Sequence, residues 1–231
     1  MPEGMHVNPL ADWFCVVKKM KCRLCLSDRP VLLTSDKRRR FFLCSECSLI
    51  FVPDSELVSV VQEKERYDLH DNSRQNSGYV EFLSELIPLI KNSGIYKPSI
   101  LDFGSGKNAV LSSLLDENRL SCDSYDPLYG VLIDEKQKKY DVIVLCEVIE
   151  HLRNLREELR LIKSLLSERG IVVIRTRMYP SGDSFPGWWY AQDITHINFF
   201  SLETIRKVAG MMDGRLEETE FPDIFIVRRD C

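Results

Sequence analysis

No apolar run in the 231 residues approaches the roughly 20 needed to cross a bilayer, so no membrane-spanning segment is expected. The amino terminus lacks the basic, apolar, small-residue order of a secretory signal, and no internal repeat or low-complexity tract stands out. A strongly basic balance is also missing, because 35 Asp/Glu outnumber 31 Lys/Arg. These absences point to a soluble, cytoplasmic protein. Its length allows one large core with a small appendage, not two full domains.

What is present is concentrated between Ser99 and Leu152. A β-branched strand ends in Leu101-Asp-Phe-Gly-Ser-Gly106, an acid follows at Asp126, and a second strand ends in Tyr140-Asp-Val-Ile-Val-Leu-Cys-Glu-Val-Ile-Glu-His-Leu152. This is the pattern of a nucleotide-type pocket at the carboxyl edge of a parallel sheet. Gly104-x-Gly106-x-x-Ala109 fits the loose dinucleotide fingerprint, with Asp126 at about the distance of a ribose-gripping acid. Asp102 argues against a dinucleotide, since a carboxylate there would repel the pyrophosphate that such a loop holds. It suits S-adenosylmethionine, which carries an ammonium and a sulfonium but no phosphate. NAD is the competing reading.

At these residues the chain resembles the class I S-adenosylmethionine-dependent methyltransferases, in a subgroup with an amino-terminal zinc ribbon. The resemblance covers nearly the whole chain. Its other carriers are Glu65 to Asn72, Tyr125-Asp-Pro127, Arg169-Gly170 before a strand, and Asp193-Ile-Thr-His-Ile-Asn-Phe-Phe-Ser201. It implies a Rossmann-like, doubly wound, mostly parallel α/β sheet with an antiparallel closing strand. The chemistry above assigns Asp102, Gly104, Gly106 and Asp126 to the cofactor, and the resemblance adds Ser105, Pro127, Cys146 and Glu147.

Of the eight cysteines, Cys22-x-x-Cys25 and Cys44-x-x-Cys47 form two knuckles eighteen residues apart, within the spacing of a four-thiolate zinc site. Two disulfides are the alternative, disfavoured in a cytosolic chain. The knuckles carry Leu26 and Ser48 where glycine often follows the second cysteine. Cys15, Cys122, Cys146 and Cys231 read as packing residues or free thiols. Such a zinc is saturated by protein ligands and should be structural.

The expected organisation is an extension over 1–20, a zinc ribbon over 21–53, a helical connector or lid over 54–78, and the methyltransferase domain over 79–231. Ribbon strands are expected at Pro30 to Thr34, Arg40 to Leu43 and Leu49 to Val52. Asp54 to Tyr67 reads as helical, Asp71 to Gly78 as loop, and Tyr79 to Asn92 as a helix. Strands then fall at Ser99 to Phe103, Ser121 to Asp126, Tyr140 to Cys146 and Gly170 to Thr176. Helices fall at Asn108 to Glu117, Leu155 to Ser167 and Leu202 to Met212, and closing strands near Arg215 to Glu220 and Asp223 to Arg229. Only thirteen residues, Pro127 to Lys139, separate the second strand from the third. The sheet edge should therefore be abbreviated.

A sulfonium methyl is already activated, so the protein needs chiefly to align an acceptor and manage one proton. Candidates are His151 and His196 near pocket loops, His70 and Tyr67 in the connector, and Glu147. Glu147, Glu150 and His151 share a face if helical. Similar clusters in ubiquinone-pathway O-methyltransferases and small-RNA 2′-O-methyltransferases hold a divalent metal, to which His196 adds a fourth ligand by resemblance; the same phrase also occurs in methyltransferases without one. Trp188-Trp189-Tyr190 lies in a Pro- and Gly-rich loop and offers aromatic faces to an acceptor. Residues 1–53 hold nine Lys/Arg against five Asp/Glu, which leaves 22 against 30 beyond. The basic run Lys37 to Arg40 sits at the ribbon tip, where it either contacts phosphates or keeps the hairpin edge solvated. Three readings follow: methylation of a small molecule at oxygen or carbon, an RNA methyltransferase clamping tRNA or rRNA with the ribbon, or a non-catalytic interaction module.

Overall fold

The computed structural model describes residues 20–134, 138–180 and 182–230; the expected extension up to residue 19, Cys15 and Cys231 lie outside them. A four-cysteine hairpin comes first, with β1 (Pro30–Ser35), β2 (Arg40–Cys44) and the short β3 (Ile50–Phe51). Helix α1 (Val60–Asp68) follows, opened by a capping box between Ser59 and Gln62. The helix expected over Tyr79 to Asn92 is two helices, α2 (Ser77–Ser84) and α3 (Leu86–Lys91), joined at Glu85. Pro88 explains the break, because it has no N–H for the Ser84 carbonyl and its ring crowds that position.

The main sheet then alternates with helices: β4 (Ile100–Phe103), α4 (Val110–Glu117), β5 (Cys122–Tyr125), β6 (Tyr140–Cys146), α5 (Leu155–Leu165) and β7 (Leu166–Arg175). The short β8 (Asn198–Phe199), α6 (Leu202–Met211), β9 (Gly214–Glu218) and β10 (Ile224–Arg229) complete the chain. Strand order is β5-β4-β6-β7-β10-β9. The first four strands are parallel, β10 runs antiparallel to β7, and β9 antiparallel to β10. This is the Rossmann-like fold. Among the described residues nothing pairs outside β5, so the edge is short, as the spacing predicts.

Alternate residues of the central strands feed two cores, which is the period-two signature of a sheet buried on both faces. Leu101, Ile143, Leu145, Val172 and Ile174 pack toward α5 and α6, whereas Ile100, Val142, Val144, Ile171 and Val173 pack toward α2, α3 and α4. The first core also takes in Cys22, Leu24, Cys44, Cys47, Leu49 and Phe51 of the hairpin. The hairpin is thus not set apart from the sheet domain. Its strand β3 pairs antiparallel with β8, Ile50 opposite Phe199 and Phe51 opposite Asn198. Side chains reinforce the seam: Arg23 donates to the Arg153 and Val52 carbonyls, Arg156 to Leu24 and Thr204 to Cys47.

Both knuckles close through left-handed residues, Leu26 at φ 63° and Ser48 at φ 56°, whose N–H groups donate to Cys22 and Cys44. A Cβ in that region costs on the order of 1 kcal/mol. Leu26 is half exposed and buries little. Leu26→Gly should therefore stabilise the protein by about 0.5–1 kcal/mol, read as a higher urea midpoint; a lowered midpoint would contradict the assignment of strain.

Candidate active site

The β4 strand runs into Gly104-Ser105-Gly106 at the carboxyl edge of the sheet. The loop is pinned from the β5 side: Gly104 and Ser105 N–H donate to the Tyr125 carbonyl at 2.7 and 3.2 Å, and Gly106 N–H donates to Asp126 Oδ2 at 2.8 Å. Gly104 has φ +81°, and a Cβ there would lie 2.5 Å from Val148 Cγ2. At Gly106, φ +66°, a Cβ would meet nothing within 4 Å because the position faces open space. Gly106 also lines a cavity of about 1280 Å³.

Gly104, Ser105, Gly106, Asp126, Pro127, Cys146 and Glu147 line one part of it, and Tyr67, His70, His151 and His196 line another. Asp102 and Glu150 stand behind the wall. Asp102 is 3% exposed and turns toward α4, where Ser112 Oγ lies 3.4 Å from its Oδ2; burial pushes its pKa up to about 7. Asp126 also caps the turn after β5 by accepting from Leu128 N–H at 3.0 Å, and burial raises its pKa.

The two imidazoles stack edge to face with centroids 4.7 Å apart. His151 Nδ1 lies 3.0 Å from the Thr195 carbonyl and His196 Nδ1 lies 2.7 Å from the Tyr190 carbonyl. A carbonyl only accepts, so each Nδ1 carries the hydrogen and each Nε2 keeps a lone pair. Burial pushes His151 down to about 3 and His196 down to about 4; both rings are neutral at physiological pH.

Glu150 is fully buried and accepts from Tyr190 Oη at 2.6 Å and Thr176 Oγ1 at 3.1 Å. Burial drives its pKa well above the carboxylate range. Glu147 sits at φ 54°. Its Oε2 is 3.1 Å from Tyr190 Oη, while its Oε1 is buried without a partner. One ligand atom from each of Glu150, His151 and His196 lies within 4.8 Å of the other two. The convergent trio therefore differs from the set Glu147, Glu150 and His151: Glu147 reaches it only through the Tyr190 hydroxyl.

Helix α1 crosses the cavity. Tyr67 donates to Glu63 Oε1 at 3.0 Å, Arg153 donates to Glu63 Oε2, and the Tyr67 ring stands edge-on to His151 at 5.0 Å. Tyr67 commits its proton to Glu63, and burial raises its pKa. Arg66 bonds Asp193 at 2.9 Å, and His70, half exposed, lies 4.0 Å from the same carboxylate. The aromatic loop divides: Trp188 and Tyr190 pack inward, whereas Trp189 is 64% exposed at the cavity rim. Sequence reasoning missed Glu63, Arg153 and Asp193, whose partners lie in other segments, and it took Tyr190 only as an aromatic.

Two features bear on the hairpin. The four sulfurs lie within 4.8 Å of one another, with Cys22–Cys47 and Cys25–Cys44 at 3.5 Å. Tetrahedral zinc with Zn–S about 2.3 Å spaces sulfurs about 3.8 Å apart, so the donor set fits zinc. The neighbouring Cys47 sulfur pulls the Cys22 thiol down to about 5; the described cysteines are free thiols, not disulfides. The basic run is not a free stripe either. Arg39 is 4% exposed, and Arg40 bonds Glu56.

The sequence profile of a methyltransferase domain matches residues 69–210, more than half of the chain. The chain belongs to this methyltransferase-domain family. Among solved structures it is similar to an O-methyltransferase family protein from Burkholderia thailandensis, at 14% identity and TM-score 0.51, covering 73% of this chain and 63% of that one. A candidate O-methyltransferase from Nostoc punctiforme gives 12% identity and TM-score 0.51, covering 65% and 56%. This methyltransferase-domain chain thus spans less than two thirds of either protein, and at such identity the likeness is one of fold. No curated protein sequence matches it. No helix among the described residues is long and apolar enough to cross a membrane.

Proposed function

We propose that the protein is an S-adenosylmethionine-dependent methyltransferase acting on a small-molecule acceptor at oxygen or carbon. The observation that carries this reading is the cavity at the strand ends, where the open side of Gly106 adjoins a carboxylate on one side and a pair of neutral imidazoles on the other. Family membership supports it. The cavity, at about 1280 Å³, exceeds the 300–1,000 Å³ typical of a site for one drug-sized ligand, which favours a pocket shared by cofactor and acceptor.

Bound S-adenosylmethionine supplies a methyl group already activated on a sulfonium, so the work of the chain is placement. Backbone at Gly104 and Gly106 admits the ligand closely, and Asp126 has lone pairs left to accept from ribose hydroxyls. The partnerless Glu147 Oε1 is an acceptor for a cationic or hydroxyl group, because leaving it unpaired costs about 1–3 kcal/mol. Trp189 offers a face to a planar acceptor at the rim. With its Nδ1 hydrogen committed, each imidazole offers only its Nε2 lone pair, which serves either to receive the proton that the acceptor loses or to hold a cation, not both.

A divalent cation fits Glu150, His151 and His196, since metal-binding imidazoles give their other N–H to a carbonyl as these do; it would supply acidity to an acceptor hydroxyl. Zinc fits Cys22, Cys25, Cys44 and Cys47 and takes no part in chemistry, because four thiolates leave no open position.

The test is calorimetry with S-adenosylmethionine, followed by labelled-methyl transfer to the metabolite, RNA and protein pools of an extract, with and without chelator. Binding and label in the metabolite pool are expected, with sensitivity to chelator, which also strips the four thiols, and to Glu150→Gln, which leaves them loaded. Label confined to RNA would replace the acceptor class, and absence of both binding and transfer would overturn the proposal in favour of an interaction module.

A further inference from the structure

The polar group that does most to shape the loop before β8 comes from the other end of the chain. Arg39, beyond the tip of the four-cysteine hairpin, is buried to 4% exposure and donates to three backbone carbonyls: Ala191 at 2.6 Å, His196 at 2.9 Å and Asp193 at 3.0 Å. Ala191 lies in a short 3-10 helix, Trp189–Gln192, and Asp193 and His196 in the irregular stretch that follows it, all outside the strand ladders. The same stretch supplies both His196 and the Asp193 carboxylate that holds Arg66 of α1. We infer that Arg39 is a positioning residue for the pocket, setting the loop from which His196 and Tyr190 are presented, an inference that rests on the methyltransferase reading of that pocket.

The chemistry requires this residue type. A guanidinium is a rigid planar fork, and here two of its nitrogens reach three acceptors at once, which a single ammonium on a flexible stem does not reproduce. Burying a cation costs several kcal/mol unless its hydrogen bonds are made. Charge-assisted bonds to the Ala191, Asp193 and His196 carbonyls offset that cost, the Asp193 carbonyl also accepting from His196 N–H, while Arg39 Nε makes no hydrogen bond and lies 3.7 Å from Asp36 Oδ2. The hairpin is built to deliver it: Asp36 Oδ1 accepts from Arg38 and Arg39 N–H, each at 2.6 Å, Asp36 N–H closes the turn onto the Arg39 carbonyl, and the Phe41 ring lies 5.1 Å from the guanidinium carbon.

The consequence reaches the site through one further bond. His196 Nδ1 donates to the Tyr190 carbonyl, so the ring orientation is fixed by the loop backbone. Tyr190 in turn touches both Glu147 and Glu150. Releasing the carbonyls at 191, 193 and 196 therefore lets the imidazole and the phenol shift together, while the Gly104–Asp126 end of the cavity, held by Tyr125 and Asp126, stays in place.

The experiment compares Arg39→Lys and Arg39→Gln in the full chain with Lys37→Ala, an exposed neighbour in the same run. Expected for both Arg39 variants are cofactor affinity within about twofold of the parent, turnover lowered about 10- to 100-fold, and loss of the protected His196 Nδ1–H resonance; Lys37→Ala should match the parent in all three. A retained His196 resonance with parental turnover in Arg39→Lys overturns the inference, as does turnover that falls only with the folded fraction. Native-state hydrogen exchange on the unmodified chain gives a second measurement: the amides of His196 and Ile197 should open with those of the Asp36–Arg39 turn, and independent opening overturns the inference even if the variants fail to fold. Should the parent transfer no methyl group, the reaction assignment falls, while the resonance and exchange still judge the positioning.

Discussion

Replacing Cys44 by serine should destabilise the whole protein, not the hairpin alone. Cys44 is fully buried in β2, and its sulfur belongs to the core that also holds Leu155, Ile162 and Ile205. In an independent zinc module the loss would be local, because binding free energy is folding free energy only for the part that the metal organises. Here the organised part includes β3, whose partners among the described residues are β2 and β8. The cost should exceed about 3 kcal/mol, since structural zinc contributes on the order of 10 kcal/mol in isolated fingers. Calorimetry should show one cooperative transition moved down by many degrees together with loss of zinc. An unchanged transition, or a small separate one, would mean that the seam with β8 carries no energy.

Asp102→Asn should stabilise the ligand-free protein at alkaline pH and weaken cofactor binding. The Asp102 carboxyl is raised by burial from an ordinary 3.8 to about 7. Between those values the native state keeps a proton that the unfolded chain has released, so stability falls as pH rises through that window. Below about pH 4 both states are largely protonated and the penalty fades. At pH 8 it is on the order of 4 kcal/mol, because each tenfold change in proton affinity corresponds to about 1.4 kcal/mol. Asparagine keeps an acceptor for Ser112 and carries no charge, which removes the penalty. Urea unfolding should therefore show the variant more stable at pH 8 and nearly equal at pH 4. Affinity for the cationic cofactor should fall, because the buried charge that balances it from behind the loop is gone. Equal unfolding at both pH values would show that Asp102 ionises as freely in the fold as outside it.

The sheet domain was legible because its signals are local. Buried apolar runs at 100–103, 140–146 and 170–175, with the glycine pair after the first of them, specify a parallel sheet without help from distant residues. The abbreviated edge followed from the length of the segment after Asp126. Boundaries were less legible: β7 begins at Leu166, directly after α5, because Leu166 pairs with Tyr140 before Ser167 to Gly170 bulge out, with Arg169 at φ 62°, and pairing resumes at Ile171 opposite Val142.

Within the candidate site, the glycine loop and the residues after β6 could be read from motif spacing, and most of them line the cavity. The burial of Asp102 against Ser112 of α4 was not legible, since the direction of a side chain at a strand end depends on which helix packs behind it. Long-range polar pairs were invisible for the same reason. Nothing near Lys37 to Arg40 marks the third residue as buried and the others as exposed; that difference is made by carbonyls more than 150 residues away.

The pairing of Ile50 with Phe199 also orders events at the ribosome. The cysteine hairpin emerges before the sheet, yet its third strand gains its outer neighbour only when the polypeptide has grown by about 150 residues more; at about 5–20 residues per second that interval is roughly 8–30 s. Through it an apolar strand edge stays open to other nascent chains. Early capture of metal by the four thiols would shorten the exposure by holding β2 and β3 together, so the ion would act as a chaperone-like clasp before it is a finished structural element.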